Sequence, residues 1–175
     1  MNLQQSRKAL EPYFRNFVFG VEDSLVSTVG LLSGVAIAGV PRGTIFLTGI
    51  VLIFVEAFSM AAGSFLSEYS AEEYASRAKA SMRRPLIASV VMFCSYFTSG
   101  FIPLFPYAIW ETFSAFGVSI FLTFAALFAL GTLNAYLSGR SLLRRGLRML
   151  VIGGFATAIG IAAGTVAASF GIVAI

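Results

Sequence analysis

Three carboxylates stand where a lipid bilayer makes charge costly. Glu22, Asp23 and Glu56 all fall inside long apolar stretches, and an ionisable group at membrane depth is the usual mark of an ion path or a proton relay. Asp23 is the single aspartate of the chain, and no lysine or arginine inside those stretches is available to pair with it or with Glu56. Glu22 lies about one turn from the expected interface, so it can also snorkel or meet a basic side chain there. From Glu56 the helical repeat runs on through Met60, Ser64 and Glu68. One face therefore carries a carboxylate, a thioether, a hydroxyl and a second carboxylate. Carboxylates suit hard and borderline divalent cations, whereas a thioether is a soft donor that magnesium and calcium do not favour. The mixture fits iron(II) or manganese(II) as a transported ion, with no permanently bound cofactor. Met60 taken alone reads as core packing; its company with Asp23 and Glu56 makes it a ligand candidate.

The elements that hold these residues are apolar helices. Five stretches, near residues 17–39, 44–67, 85–107, 112–136 and 147–169, are long enough for a hydrocarbon core of about 30 Å, which takes roughly 20 helical residues. At the helical rise, Asp23 lies about 9 Å inside the start of the first span and Met60 about 10 Å inside the end of the second, so the two are expected at one depth. Glu56 then sits roughly 6 Å deeper, one turn on. The Gly39-Val40-Pro41-Arg42-Gly43 segment predicts a tight hairpin, and Pro103 and Pro106 are expected to end the third span. The longest polar stretch, a short helix-prone connector over 68–84, opens with Glu68, Glu72 and Glu73. These three read either as groups that admit metal or protons, or as an ordinary solvated face pairing with Arg77 and Lys79.

Composition agrees with a membrane-embedded chain. Of 175 residues, 58% are hydrophobic and 11% charged, and the mean hydropathy is +0.87; a soluble domain of this size needs a more polar coat. Eleven of the twelve basic residues fall before span one, between spans two and three, or between spans four and five, with Arg42 alone on the other side. By the positive-inside rule the N-terminus is cytoplasmic and the C-terminus outside or luminal, and Tyr107 and Trp110 fall at the outer boundary. The net charge of +4 is thus a topology signal, and no nucleic-acid partner is expected. Span one carries acids and lacks a cleavage site, so it reads as a retained helix. The expectation is an all-α membrane protein, a single transmembrane domain of five helices. Gly30 and Gly34 form a small-residue pair, and Gly153, Gly154, Gly160 and Gly164 offer another packing face. The chain has no histidine and one cysteine, Cys94. Proton handling therefore falls to carboxylates, and an enzyme is not expected, since Ser–His, Cys–His and H-E-x-x-H arrangements are all ruled out.

Four segments carry a family resemblance: Phe19-Gly20-Val21-Glu22-Asp23-Ser24-Leu25, the run from Ala57 to Tyr69 with its Ser59-Met60, Gly100-Phe101-Ile102-Pro103-Leu104-Phe105-Pro106-Tyr107, and Leu147-Arg148-Met149-Leu150-Val151-Ile152-Gly153. Together they resemble the vacuolar iron transporter family. The resemblance implies a homodimer that exchanges cytosolic iron(II) or related divalent metals for protons, along a path near the dimer interface. It carries metal-path roles onto Asp23 and Met60. Glu56 is placed by the helix argument alone. The family's S-D-G is Glu22-Asp23-Ser24 here, and many members hold a long glutamate-rich cytoplasmic domain between spans two and three for which the 68–84 connector is too short. The chain is thus similar to a short form lacking that domain.

The leading expectation is a proton-coupled antiporter moving iron(II) or manganese(II) out of the cytoplasm, with Asp23, Met60 and Glu56 as metal ligands and Glu22, Glu68, Glu72 and Glu73 admitting metal or protons. A passive divalent cation channel, or a non-transporting membrane subunit or sensor, are the alternatives. The expected location is the plasma (inner) membrane of a prokaryote or the vacuolar membrane of a eukaryote.

Overall fold

The computed structural model describes the backbone of residues 3–76 and 81–170 and the side chains of residues 10–75 and 81–170. The side chains of Arg7, Lys8, Arg77 and Lys79, which entered the orientation argument, lie outside the described residues. Five helices account for nearly all of the described chain: α1 (Leu3–Ile37), α2 (Arg42–Ser76), α3 (Arg83–Ile109), α4 (Thr112–Leu137) and α5 (Leu142–Ser169). All five are long and apolar enough to cross a bilayer, and no strand occurs among the described residues. This is the expected all-α architecture.

Three helices outrun the expected spans. α1 begins well before residue 17, α5 begins at Leu142, and α2 runs without a break from Arg42 to Ser76. Glu68, Glu72 and Glu73 therefore sit on a continuation of the second span. Nothing in 68–76 breaks a helix, because the run lacks glycine and proline and is rich in alanine and glutamate. The α1–α2 hairpin forms where expected, on Gly39 at φ +81°, a left-handed conformation that side-chain-bearing residues rarely adopt. The prolines are a correction. Pro103 and Pro106 lie inside α3, which continues to Ile109. Each proline leaves the carbonyl four residues back, on Ser99 and Ile102, without its helical N–H. An interior proline is tolerated in a membrane helix that neighbouring helices support, and the Ser119 hydroxyl of α4 donates to the Pro103 carbonyl at 2.7 Å, holding α4 to α3 in this stretch.

α1 is the axis of the bundle. It packs against all four other helices, most extensively α3 and α5 and only lightly α2. α2 lies on α3, and α4 bridges α3 and α5. The Gly30–Gly34 pair and half of the second set, Gly160 and Gly164, form one contact, whereas Gly153 lies against Leu127 of α4. Gly30 and Gly34 of α1 meet Ala156, Gly160 and Gly164 of α5 backbone to backbone, and a Cβ on Gly160 or Gly164 would overlap the carbonyl oxygens of Gly30 and Gly34. Their order makes α1 and α5 parallel. Such approach is how helices associate in lipid, where burying apolar surface gives no advantage. Elsewhere a core of Leu32, Ile45, Ile53, Leu104, Tyr107 and Ala115 joins α1, α2, α3 and α4.

Helix order puts every described basic residue except Arg42 at one end of the bundle. Arg42 has a local duty at the other end. Its guanidinium donates to the Ala108 carbonyl at 3.1 Å and to the Trp110 carbonyl at 3.5 Å, closing the C-terminal end of α3, where unsatisfied carbonyls favour a cation.

The α1–α5 contact predicts a position-specific effect of one methyl group. Gly160→Ala should destabilise the detergent-solubilised protein by about 1–3 kcal/mol through overpacking. Gly154→Ala, on the same helix with nothing near its Cβ position, should be neutral or stabilising by up to about 1 kcal/mol through helix propensity. Thermal unfolding of both variants checks the pair, and equal effects would refute the contact.

Candidate functional site

α1 and α2 run antiparallel, and two side-chain contacts fix their register. Near the basic end Arg15 pairs with Glu68. Beside it the Ser64 hydroxyl donates to the Asn16 side-chain oxygen at 3.0 Å. One turn further along, Phe19 and Met60 line the same cleft. A further turn along both helices reaches Asp23 and Glu56, whose charges act on one another. Asp23 is therefore level with Glu56, and Met60 lies one turn nearer the basic end. This corrects the expected match of Asp23 with Met60. The error came from the assumed helix ends, because α1 extends back to Leu3 and α2 on to Ser76, so span limits were no guide to depth.

α3 completes the site. Tyr96 is fully buried, and its hydroxyl lies 2.7 Å from the Ser27 hydroxyl. Its backbone carbonyl accepts a hydrogen bond from Ser24 at 2.7 Å. Ser24 and Ser27 thus grip α3 from α1, and Asp23 and Ser27, four residues apart, share the face between them. The charges of both Glu56 and Asp23 reach Tyr96. Gly100, one turn past Tyr96, lies against Ser24 and Ile53, so α3 approaches both partners closely at this level. Tyr96 was missed in the sequence. Its only signal was a tyrosine amid the third apolar run, where a buried hydroxyl must find a partner.

The other candidates are placed apart. Glu22 is half-buried and adjoins Asp23, but lines neither of the two cavities described here. α1 is helical and apolar back to Leu10, so Glu22 lies roughly three turns inside it, deeper than expected. Glu68 stands at the mouth of the α1–α2 cleft, with Met60 and Ser64 along its wall. Glu72 and Glu73 lie further along α2, where Glu73 engages the Tyr69 hydroxyl; they are not brought to Asp23. The α1–α5 contact borders an open groove of about 630 Å³ that is apolar except for Asp23 and Ser27 at one end.

Chemically, the site offers two carboxylates and two hydroxyls from three apolar helices. No described lysine or arginine pairs with Glu22, Asp23 or Glu56. Among the described residues no cluster of three or more acidic, cysteine or histidine side chains forms, so one chain supplies a partial oxygen-donor set. Carboxylate oxygens of this kind suit divalent cations.

Fold and site together define a polytopic helical membrane protein with unpaired carboxylates inside its helices. The chain belongs to the VIT family, whose sequence model matches residues 14–84 and 71–165. It is also similar to "Vacuolar iron transporter homolog 1" from Oryza sativa subsp. japonica, with 28% identity over 163 residues, covering 84% of this chain and 70% of that protein.

The register is open to a direct check. In a Cys94→Ser background, Asn16→Cys with Ser64→Cys should cross-link efficiently through a short bifunctional thiol reagent. Asn16→Cys with Glu56→Cys, two turns out of register, should not. The reverse pattern would refute the pairing of Asp23 with Glu56.

Proposed function

We propose that this protein is a proton-coupled antiporter that moves iron(II) or manganese(II) out of the cytoplasm. The observation that carries the proposal is the Asp23–Glu56 pair: two carboxylates at one level of apolar helices, close enough for their charges to interact, with no described basic side chain to neutralise them. Charges so placed need a cation or protons as partners. Membership of the VIT family supports divalent metal transport, and the name of the rice relative points to iron. Transport, not catalysis, is the activity this supports.

Proton coupling follows from the donor chemistry. Carboxylates bind metal when deprotonated, so loading releases protons and unloading takes them up. Asp23 and Glu56 act as ligands, with Met60 one turn away as a soft donor on the same path. Glu22 serves as a neighbouring proton group. The basic residues gathered at one end favour a cytoplasmic N-terminus, which makes the α1–α2 cleft the cytoplasmic approach.

A homodimer fits the same arrangement. One chain brings two carboxylates together here, Asp23 and Glu56, whereas a divalent ion such as iron(II) or manganese(II) takes more ligands than that. α5 does not pack on α2, and the face of α1 between them, with Asp23 at the edge of the open groove, is free to meet a second copy. Across a two-fold axis the acid pair would be doubled.

The test is metal uptake into proteoliposomes that carry a proton gradient. Asp23→Ala and Met60→Ala should each reduce iron(II) uptake to background. Transport at the wild-type rate by both variants would refute the site. A pH-sensitive dye inside the vesicles separates antiport, in which proton and metal fluxes run together, from a passive channel, in which metal moves alone.

A further inference from the structure

Arg15, Asn16 and Met92 have no part in the reading above, yet all three line the cleft of about 560 Å³ at the basic end of α1 and α2. The cleft is polar for a membrane protein. Asn16 is 5% exposed, and its amide nitrogen donates to the Pro12 carbonyl at 3.0 Å. That bond turns the amide oxygen toward α2, where Ser64 donates to it. Met92 lines the cleft from α3 and adds a second methionine to Met60. At the mouth, the Glu68 side chain is 19% exposed and its partner Arg15 is 68% exposed. The carboxylate thus belongs to the cleft and the guanidinium to the solvent side.

An ion pair this open adds little to stability, and α1 is already held by α3 and α5. The effect of Arg15 is to neutralise a carboxylate at the entrance of a polar cavity. A guanidinium keeps its charge at any physiological pH, so this neutralisation ends only when another cation takes its place.

We propose that the cleft is a loading site for a divalent cation and that Arg15 is its exchangeable counter-ion. The arriving ion takes Glu68 from Arg15. It then meets the Asn16 oxygen, the Ser64 hydroxyl and the two thioethers of Met60 and Met92. A doubly charged ion outcompetes a guanidinium at a carboxylate, which a monovalent ion does not. The two thioethers weigh against magnesium and calcium. One turn deeper stand Asp23 and Glu56. The direction of travel rests on the transport reading; the binding step does not.

Manganese(II) binding to the purified full-length protein, followed by the paramagnetic resonance of the free ion, tests the exchange. Arg15→Ala removes the competitor and should tighten binding by about three- to fivefold, the scale set by an exposed ion pair. Glu68→Gln removes the carboxylate and should weaken binding by about tenfold. Misfolding weakens binding in both variants, so opposite signs are diagnostic. Weakening in both, or no change in either, overturns the loading site. Wild-type manganese uptake into proteoliposomes is measured alongside. Uptake without the opposite shifts discards the loading site and keeps transport, whereas the shifts without uptake keep the site and discard transport.

Discussion

A helix that carries Glu22, Asp23, Ser24, Ser27 and Thr28 within about two turns has polar groups around most of its circumference there. It cannot be left open to lipid, and the bundle is arranged around this constraint. α1 is the helix that touches all four others. Its cover is of two kinds. On one side, glycines bring α5 onto its backbone, so contact there is made without long side chains. On the other, Ser24 and Ser27 spend their hydroxyls on Tyr96 and bind α3. α2 is only lightly attached to α1, and the space between them is where the remaining polar groups gather. Tight contact on two sides and loose contact on the third makes a polar path compatible with a stable helix pack.

The same constraint explains a departure from the family pattern. The position after Asp23, a glycine in the motif that the chain resembles, is Ser24 here. Its side chain is fully buried and donates to the Tyr96 carbonyl, while Gly100 on α3 supplies the room that the hydroxyl needs. The serine thereby gains a hydrogen bond at the level of the acids. Arg42 shows comparable economy. Among the described basic residues it alone lies at its end of the bundle, and it is spent on the carbonyl end of α3.

Helix identity, number and approximate position were legible in the sequence, because runs of apolar residues broken by glycine, proline and arginine admit few alternatives. The acids at Asp23 and Glu56 were legible for the same reason, being anomalous in their surroundings. Relative depth was not. It depends on where helices end in space, and α1 and α2 both continue through polar sequence that reads as connector. The prolines of α3 misled because a proline inside a membrane helix is tolerated where neighbouring helices support the backbone, and only the fold shows α4 bound to this stretch. Tyr96 escaped because one tyrosine in an apolar run resembles packing until Ser27 and the two carboxylates are seen around it. The glycines were each visible, but that Gly30 and Gly34 meet Gly160 and Gly164, and not Gly153 or Gly154, required the parallel order of α1 and α5.

The central claim is that Asp23 and Glu56, on different helices, form one cation site. A double-mutant cycle on the manganese(II)-dependent rise in Tm of the purified protein tests it most directly. If the claim holds, Asp23→Asn and Glu56→Gln each remove most of the rise and the double variant removes no more than either alone. Additive losses, or a full rise in either single variant, would contradict it.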